Sequence, residues 1–545
     1  VTAVDAPAPQ AARAAGQTGA IHALTWLAVR QIRRGAIVVI VLAGGMSAMV
    51  ATTYASTVGD TMDAAALAAL AENPAIRTLF GQPVALDSAG GFTVWRTGTV
   101  LAVVVGVWAL LAATRITRGA EDAGHWDLLL AGRIPLSTVV MRHATVVVTA
   151  ALFTGVSTAA ALTATGTPAA GATLHGAGVA LVGVFFAAAA TLAAQIFPHR
   201  AAASGATVAL LGTGLLLRMV GDGVDGLGWL RWLSPFGLTA ISRPYHDNRA
   251  LPLVVLALAS SALLVAIPAA AAHRDVRGGW FAPRTGRAPR LRLLGSIPGF
   301  ALRRLLGPLT GWAAGVGVYY LLIGLLAVSM TDFLADNPRF ADLAAQAGFA
   351  GLGSVEGYVA AMFVLLAIPA GVFAAVRVAA TATAETDRRL TLLYAGPVTR
   401  LRFLTAETAS TATGAVTLTA TAGLATWIGA RSIGAPLHLE AALAGAVNVL
   451  PIAALCLGAA VFALGWLPRA VSLVGSLPAV GGFLLQAIAD STGAPHWVGT
   501  LSPFTHLAPV PDLAPNWTAS VGMLITAGAV AAVGAIGYHH RDLRT

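Results

Sequence analysis

Residues 128–132 read Leu-Leu-Leu-Ala-Gly, and residues 392–396, 264 positions on, read Leu-Leu-Tyr-Ala-Gly. The match extends outward at the same offset: Glu121 meets Glu385, and Asn73-Pro74 meets Asn337-Pro338. Trp229-x-x-x-Leu233-Ser234-Pro235-Phe236 recurs as Trp497-x-x-x-Leu501-Ser502-Pro503-Phe504. His273-Arg274-Asp275-x-Arg277 recurs as His540-Arg541-Asp542-x-Arg544. Ordered matches at nearly one offset mark an internal duplication.

The chain has 545 residues, 57% hydrophobic and 10% charged, with a mean hydropathy of +0.78. Soluble domains carry about 25% charged residues. Apolar stretches long enough to cross a ~30 Å hydrocarbon core recur from end to end. Hydropathy predicts twelve spans, near 36–55, 95–114, 138–163, 173–197, 201–220, 251–272, 307–330, 357–380, 404–430, 439–465, 470–489 and 517–538. Six spans per copy bring each copy in and out on one side, so the expected fold is an all-α polytopic membrane protein of two parallel six-helix repeats. The expected organisation is a disordered cytosolic tail (1–19), a first six-span domain (20–272), a basic cytosolic linker (273–295) and a second six-span domain (296–545).

All 33 basic residues are arginine; the sequence contains no lysine. With both termini in the cytosol, 25 arginines lie inside and 8 outside, as the positive-inside rule requires. The net charge of +10 then reflects topology and an anionic inner leaflet, with no need for nucleic acid. Without lysine there is no Schiff-base chemistry and no G-x-x-x-x-G-K-[ST] phosphate loop, so any ATP must be bound by another chain. Abundant Ala, Gly and Arg without Lys fit the GC-rich coding of an actinobacterium. The single cysteine, Cys456, allows no internal disulfide, and no Cys/His array suggests a metal.

Between the second and third spans, Glu121, Asp122 and Asp127 sit where acidic groups favour a helix N-terminus. Trp126, Leu129 and Leu130 are spaced to form one apolar face. The second copy offers Glu385, Asp387, Arg388, Arg389, Leu392 and Leu393. Each would be a short amphipathic helix, covered either by the lipid interface or by a cytosolic partner; acidic residues beside an anionic leaflet, and the duplication, favour the partner. Residues 24–34 and 297–306 mix an apolar face with arginines and suit interfacial helices leading into spans one and seven. The Gly- and Pro-broken segments carrying Trp229 and Phe236, and Trp497 and Phe504, read as outer re-entrant helices, either an aromatic belt or a gate. Residues 56–94 and 331–356 read as outer amphipathic loops. The spans are almost free of carboxylates; Glu407 and Asp490 are expected at solvated ends. Gly311-x-x-x-Gly315 would permit close helix packing.

The loop after the second span, the lead-in helices and the outer segments resemble those of drug- and polysaccharide-type ABC exporter permeases. The run from Asn73-Pro74 through Leu79-Phe80-Gly81 and Thr114-Arg115 to Ala131-Gly132, with the Leu-Ser-Pro-Phe motifs, is more closely similar to the tetronasin or polyketide-antibiotic exporter permeases of actinobacteria. The resemblance spans essentially the whole chain. It implies a fused pair of six-span domains working with two copies of a separate ATPase subunit that binds ATP and Mg. It implies docking helices at 121–131 and 385–395, with Glu121, His125, Trp126, Asp127, Leu129, Leu130, Glu385, Arg388, Arg389, Leu392 and Leu393 as coupling residues. It implies outward export of hydrophobic drugs or antibiotics. By the same analogy spans two, five, eight and eleven line the path, with Trp108, Leu215, Phe373 and Phe483 as candidate lining residues. The sequence departs from symmetry where His125-Trp126-Asp127 gives way to Arg389-Leu390-Thr391.

The leading expectation is therefore the permease subunit of an ATP-driven exporter in the bacterial cytoplasmic membrane, itself no enzyme, working by alternating access. A proton-coupled antiporter of the major facilitator kind is the alternative; it would need buried carboxylates and a basic Gly-Asp-Arg loop after the second span. A membrane-embedded transferase or protease would need polar clusters in or beside the spans, and none stands out.

Overall fold

The computed structural model describes residues 10–54, 77–78, 81–132, 134–224, 226–280, 291–338, 350–492 and 495–541. Asn73-Pro74, Leu79-Phe80, Asp542 to Arg544 and the side chain of Asp490 lie outside these. The described residues are helical, with no strand among them, and the chain divides into two units, Val1–Gly286 and Arg287–Thr545.

The first unit contains α1 (Gln10–Thr52), α2 (Ala89–Thr114), α3 (His125–Leu130), α4 (Leu136–Ala164), α5 (Ala169–Ile196), α6 (Arg200–Gly223), α7 (Pro235–Ile241) and α8 (Leu251–Ala272). A π-helical stretch, Arg115–Gly119, carries α2 on to Asp122. The second unit contains α9 (Ile297–Leu325), α10 (Ala327–Asp336), α11 (Val355–Thr386), α12 (Thr391–Tyr394), α13 (Arg400–Ser432), α14 (Leu439–Val447), α15 (Leu450–Trp466), α16 (Val471–Ser476), α17 (Gly482–Thr492), α18 (His496–Thr500) and α19 (Trp517–His540). Within the first unit α4 packs on α1 and α5, and α5 on α2 and α8. Within the second, α13 packs on α9 and α14, and α15 on α11 and α19. The two units thus share one pattern of neighbours. Local caps repeat too: Ser88 accepts from Gly91 N and Ser354 from Gly357 N, each satisfying a helix-start amide.

Ten helices among the described residues are long and apolar enough to cross a membrane, against the twelve spans expected. Two expected spans fall short for different reasons. The helix α13 is diluted by threonines and by Arg400, Arg402, Glu407 and Arg431. Thr411, Thr413, Thr417, Thr421 and Thr426 each donate to the carbonyl four residues back, so their hydroxyls are satisfied without water. The segment expected at 470–489 runs as helix through a π-helical stretch, Leu477–Gly481, that accommodates Pro478, and its apolar run, Val471–Gln486, is shorter than the other ten.

The expected interfacial lead-in helices are continuous with their spans. Residues 24–34 lie inside the 43-residue α1, where Leu24, Ala28 and Ile32 form a buried stripe and Trp26 stays exposed under the Arg30 guanidinium. Residues 297–306 likewise lie inside α9, with Ala301 and Leu305 buried. Helix begins at Gln10, within the stretch read as a tail. Gly311 and Gly315 face open space and mediate no crossing. The close approach is instead at Gly155 and Gly176, where a Cβ on either would come within 2.5 Å of the other's carbonyl oxygen.

Gly155→Leu is therefore expected to destabilise the purified chain by ~1–3 kcal/mol or more through overpacking. Gly311→Ala and Gly315→Ala should leave the melting temperature unchanged or slightly raised, because glycine within a helix costs roughly 0.5–1 kcal/mol relative to alanine. Thermal denaturation in detergent compares them directly.

Candidate functional site: two locked loops

After Asp122 the chain turns through Gly124, whose φ of +75 places it in the left-handed region. A Cβ there would be strained and would meet the Arg277 guanidinium at 3.0 Å. The same turn in the second unit is made by Arg388, also at positive φ. This turn aims α3, and α12 after it, away from the helix that precedes each.

Glu121 is buried. Arg274, just past the end of α8, grips it with both terminal nitrogens, at 2.6 and 2.7 Å. Arg118, one turn back on the π-helical stretch, pairs with it at 3.0 Å, and the Arg277 backbone N–H donates to it at 2.7 Å. Arg274 also donates to Gln195 Oε1 near the end of α5, at 2.9 and 3.0 Å. Arg118 donates to Gly278 O. A bidentate, charge-assisted pair of this kind fixes geometry as well as charge. It ties the loop to the ends of α5 and α8, so residues 274–280, expected as linker, fold onto the first unit. Asp122 Oδ2 adds a bond to the Arg200 N–H at the start of α6, at 2.8 Å.

The second unit repeats the lock with other partners. Glu385 accepts from Arg541, at the end of α19, and from the Tyr538 hydroxyl. Tyr538 is bonded in turn to Tyr394 of α12 at 2.6 Å. Burial raises the Tyr394 phenol above its usual range, which keeps it a neutral hydroxyl. Arg541 also donates to Leu464 O near the end of α15, at 2.8 Å. Both units therefore join the loop glutamate to an arginine ending the last helix and to an acceptor near the end of the fourth.

The expected coupling residues separate into anchors and surface. Glu121 and Glu385 are anchors, because their carboxylates are consumed by the locks. Trp126 is 1% exposed and packs against His143 and a core of Leu24, Val139, Val140 and Ile267; its place in the second unit is taken by the buried Leu390. The break in symmetry there preserves an apolar plug. Leu129, Leu130 and Leu393 are half-buried. His125, Asp127, Arg388 and Arg389 are exposed, Asp127 pairing with Arg277 and Arg389 with Asp387. Leu392 is 89% exposed, and Leu128, its partner in the repeat, 86%. These two leucines stand at the tips of the loops.

The candidate lining residues each pack within their own unit. Phe373 is fully buried against Trp312 and Gly414. Trp108 and Leu215 pack on the first unit's core, and Phe483 lies against Phe504. Of the outer gate candidates, Phe236 and Phe504 are buried, whereas Trp229 and Trp497 are exposed. Ser234 and Ser502 explain the Leu-Ser-Pro-Phe motif: each donates to a carbonyl twenty residues back, Gly214 O or Gly482 O, and caps the following turn. Glu407 is no solvated end; it is buried between Arg304 at 2.8 Å and Arg377 at 3.4 Å. Sequence reasoning gave no role to Arg274, Arg541, Arg118, Gln195, Tyr538 or Leu128. The repeat of His-Arg-Asp-x-Arg at nearly the offset of the loop glutamates was the available signal.

Removing one partner of a buried ion pair strands the other charge, so Arg274→Ala should cost about 3–5 kcal/mol, and Arg541→Ala, whose pair with Glu385 is only partly buried, should cost less. Asp127→Ala, at an exposed pair, should stay within about 1 kcal/mol. Thermal denaturation reads the stability, and hydrogen exchange at residues 121–132 should rise in Arg274→Ala and stay protected in Asp127→Ala.

A family model described as "Multidrug efflux system permease Rv1217c, C-terminal domain" matches residues 294–539, most of the second unit. The chain is also 31% identical, over 496 residues, to the multidrug efflux system permease protein Rv1217c of Mycobacterium tuberculosis. That alignment covers 88% of this chain and 87% of the relative. An alignment of this length takes in parts of both units, and it points to multidrug efflux permeases without singling out tetronasin or polyketide antibiotics. The chain belongs to the family of Rv1217c-like multidrug efflux permeases.

Proposed function

We propose that this permease is the membrane subunit of an ATP-driven ABC exporter of hydrophobic drugs or antibiotics, and that two copies of a separate ATPase subunit dock on the loop tips. The observation that carries the reading is the pair Leu128 and Leu392, large apolar side chains held in water at equivalent tips of loops that are locked to their own helices. A rigid loop passes a push at its tip to the helices it is bonded to; a floppy one absorbs it. The absence of lysine from the sequence supports placing ATP and Mg on the partner. The excess of arginine in the loops assigned inside supports cytosolic termini in a bacterial cytoplasmic membrane. With its threonines satisfied internally, α13 joins the ten apolar helices, and the α16–α17 segment brings the crossings to twelve. Export then proceeds by alternating access, driven by closure of the ATPase pair.

Burying one leucine contributes about 1.5–3 kcal/mol, so Leu128→Glu or Leu392→Glu should weaken ATPase binding by about tenfold or more. The test is co-purification with the co-encoded ATPase and drug-stimulated ATP hydrolysis in lipid. Both should fall in the variants while the permease remains folded. Drug efflux driven by a proton gradient, with no ATPase retained, would overturn the proposal in favour of an antiporter.

A further inference from the structure

At the end of α6 opposite Arg200, the first unit holds a partly open pocket of about 70 Å³, room for one polar head group, with any longer apolar body extending out through its open side. Its polar wall is formed by Gln82, His175, Asp222 and Arg231, with Arg218 beside them; Val179 and Phe236 line its apolar side. Asp222 is buried and already engaged by Arg218 at 2.7 Å. Arg231 therefore reaches Asp222 only at 3.4 Å and Gln82 at 3.3 Å, while its Nε bonds to Gly228 O. His175, 6% exposed, presents an Nε2 with no hydrogen-bond partner. Trp95 forms a fixed wall, its indole N–H held by Gly81 O at 3.1 Å.

The chamber is rich in donors and poor in acceptors. Arg231 can only donate, Gln82 offers an amide NH₂, and His175 donates when its proton is on Nε2. The one carboxylate is spoken for. A buried polar group left unmatched is costly, so the occupant that fits is acceptor-rich, and the apolar side calls for a hydrocarbon body. In the second unit Leu439 stands at the offset of His175 and Gly499 at that of Arg231, so these two donors are not repeated there.

We propose that this chamber is a binding site, one per chain, for an oxyanion carried on an apolar body, with Arg231 and His175 as its ligands. An amphiphilic acid and an anionic lipid headgroup share that chemistry. The site is a property of the permease alone and does not rest on the ATPase reading.

The experiment uses the full chain in nanodiscs of uncharged lipid, titrated with decanoate and, as a neutral control, methyl decanoate. A parallel arm adds phosphatidylglycerol to the discs and counts retained lipid by native mass spectrometry. Decanoate should bind at one per chain and the ester should not. Arg231→Gln should weaken binding at least tenfold and Arg231→Lys should restore most of it. His175→Phe, which keeps the ring volume, should weaken it several-fold and serves as the second variant if Arg231→Gln does not fold. Retention of one phosphatidylglycerol, lost in the same variants, would support the site and identify the oxyanion as a lipid phosphate. Binding of neither probe, or binding that ignores both substitutions, would overturn the proposal.

Discussion

The carboxylate–guanidinium pair at the foot of each unit, buried for Glu121 with Arg274 and partly buried for Glu385 with Arg541, is the constraint from which the rest of this end follows. Desolvating two charges is expensive, and their attraction offsets that cost only when the geometry is good and the remaining hydrogen-bonding capacity is met. Here it is met, by Gln195, Arg118 and a backbone N–H in one unit, and by Tyr538 and a backbone carbonyl in the other. A pair of this kind adds little to stability over a well-packed apolar alternative. It does fix which three chain segments meet. With the loop glutamate held, α3 can only lay Trp126 onto the core and leave Leu128 outside.

The two locks reach one geometry by different chemistry. The first sets two arginines on one glutamate and relies on carbonyls and an amide to satisfy the guanidiniums. The second sets one arginine and a chain of two tyrosine hydroxyls on its glutamate. A neighbouring difference matches this: His143 lies against Trp126 in the first unit, while Glu407 occupies the equivalent position in the second and is sandwiched between Arg304 and Arg377. Each unit balances its own buried charges locally, which lets the copies diverge without disturbing the loops they hold.

Much of the fold was legible because a bilayer imposes few solutions: apolar length marks spans, and the ordered repeats marked two copies. Two of the twelve expected spans stand apart from the ten long apolar helices, for physical reasons. The helix α13 is rich in threonines that bond their own backbone, so it is less apolar by composition than its internal bonding makes it. At 470–489 the apolar run is short and takes up Pro478 in a π-helical stretch, which hydropathy does not register. At the site, the loop glutamates were found but their arginine partners were not, because an acidic residue opening a short helix looks the same whether it faces water or an arginine. The partner arginines lay more than a hundred and fifty residues away. Of the tip leucines Leu392 was among the expected residues, but in the first copy the helical spacing favoured Trp126 over Leu128, and the core claimed Trp126.

What the duplication kept and what it lost follow a rule. The kept features are hydrogen bonds with no easy substitute: the loop glutamate to its arginine, the Ser88 and Ser354 caps, and the Ser234 and Ser502 bonds to a carbonyl twenty residues back. The glutamate, Ser234 and Ser502 bonds satisfy buried or partly buried polar groups whose loss would strand a partner, and the Ser88 and Ser354 caps each satisfy a helix-start amide. The features that differ lie beside the Ser234 and Ser502 bonds, at the end away from the loop glutamates: the second unit takes up Pro478 in a π-helical stretch, Leu477–Gly481, where α6 is regular, and Leu439 and Gly499 stand in place of His175 and Arg231. The bonds that hold the backbone are common to both copies, whereas side chains that line a pocket without holding the backbone are free to differ and can be fitted to a ligand that one copy meets.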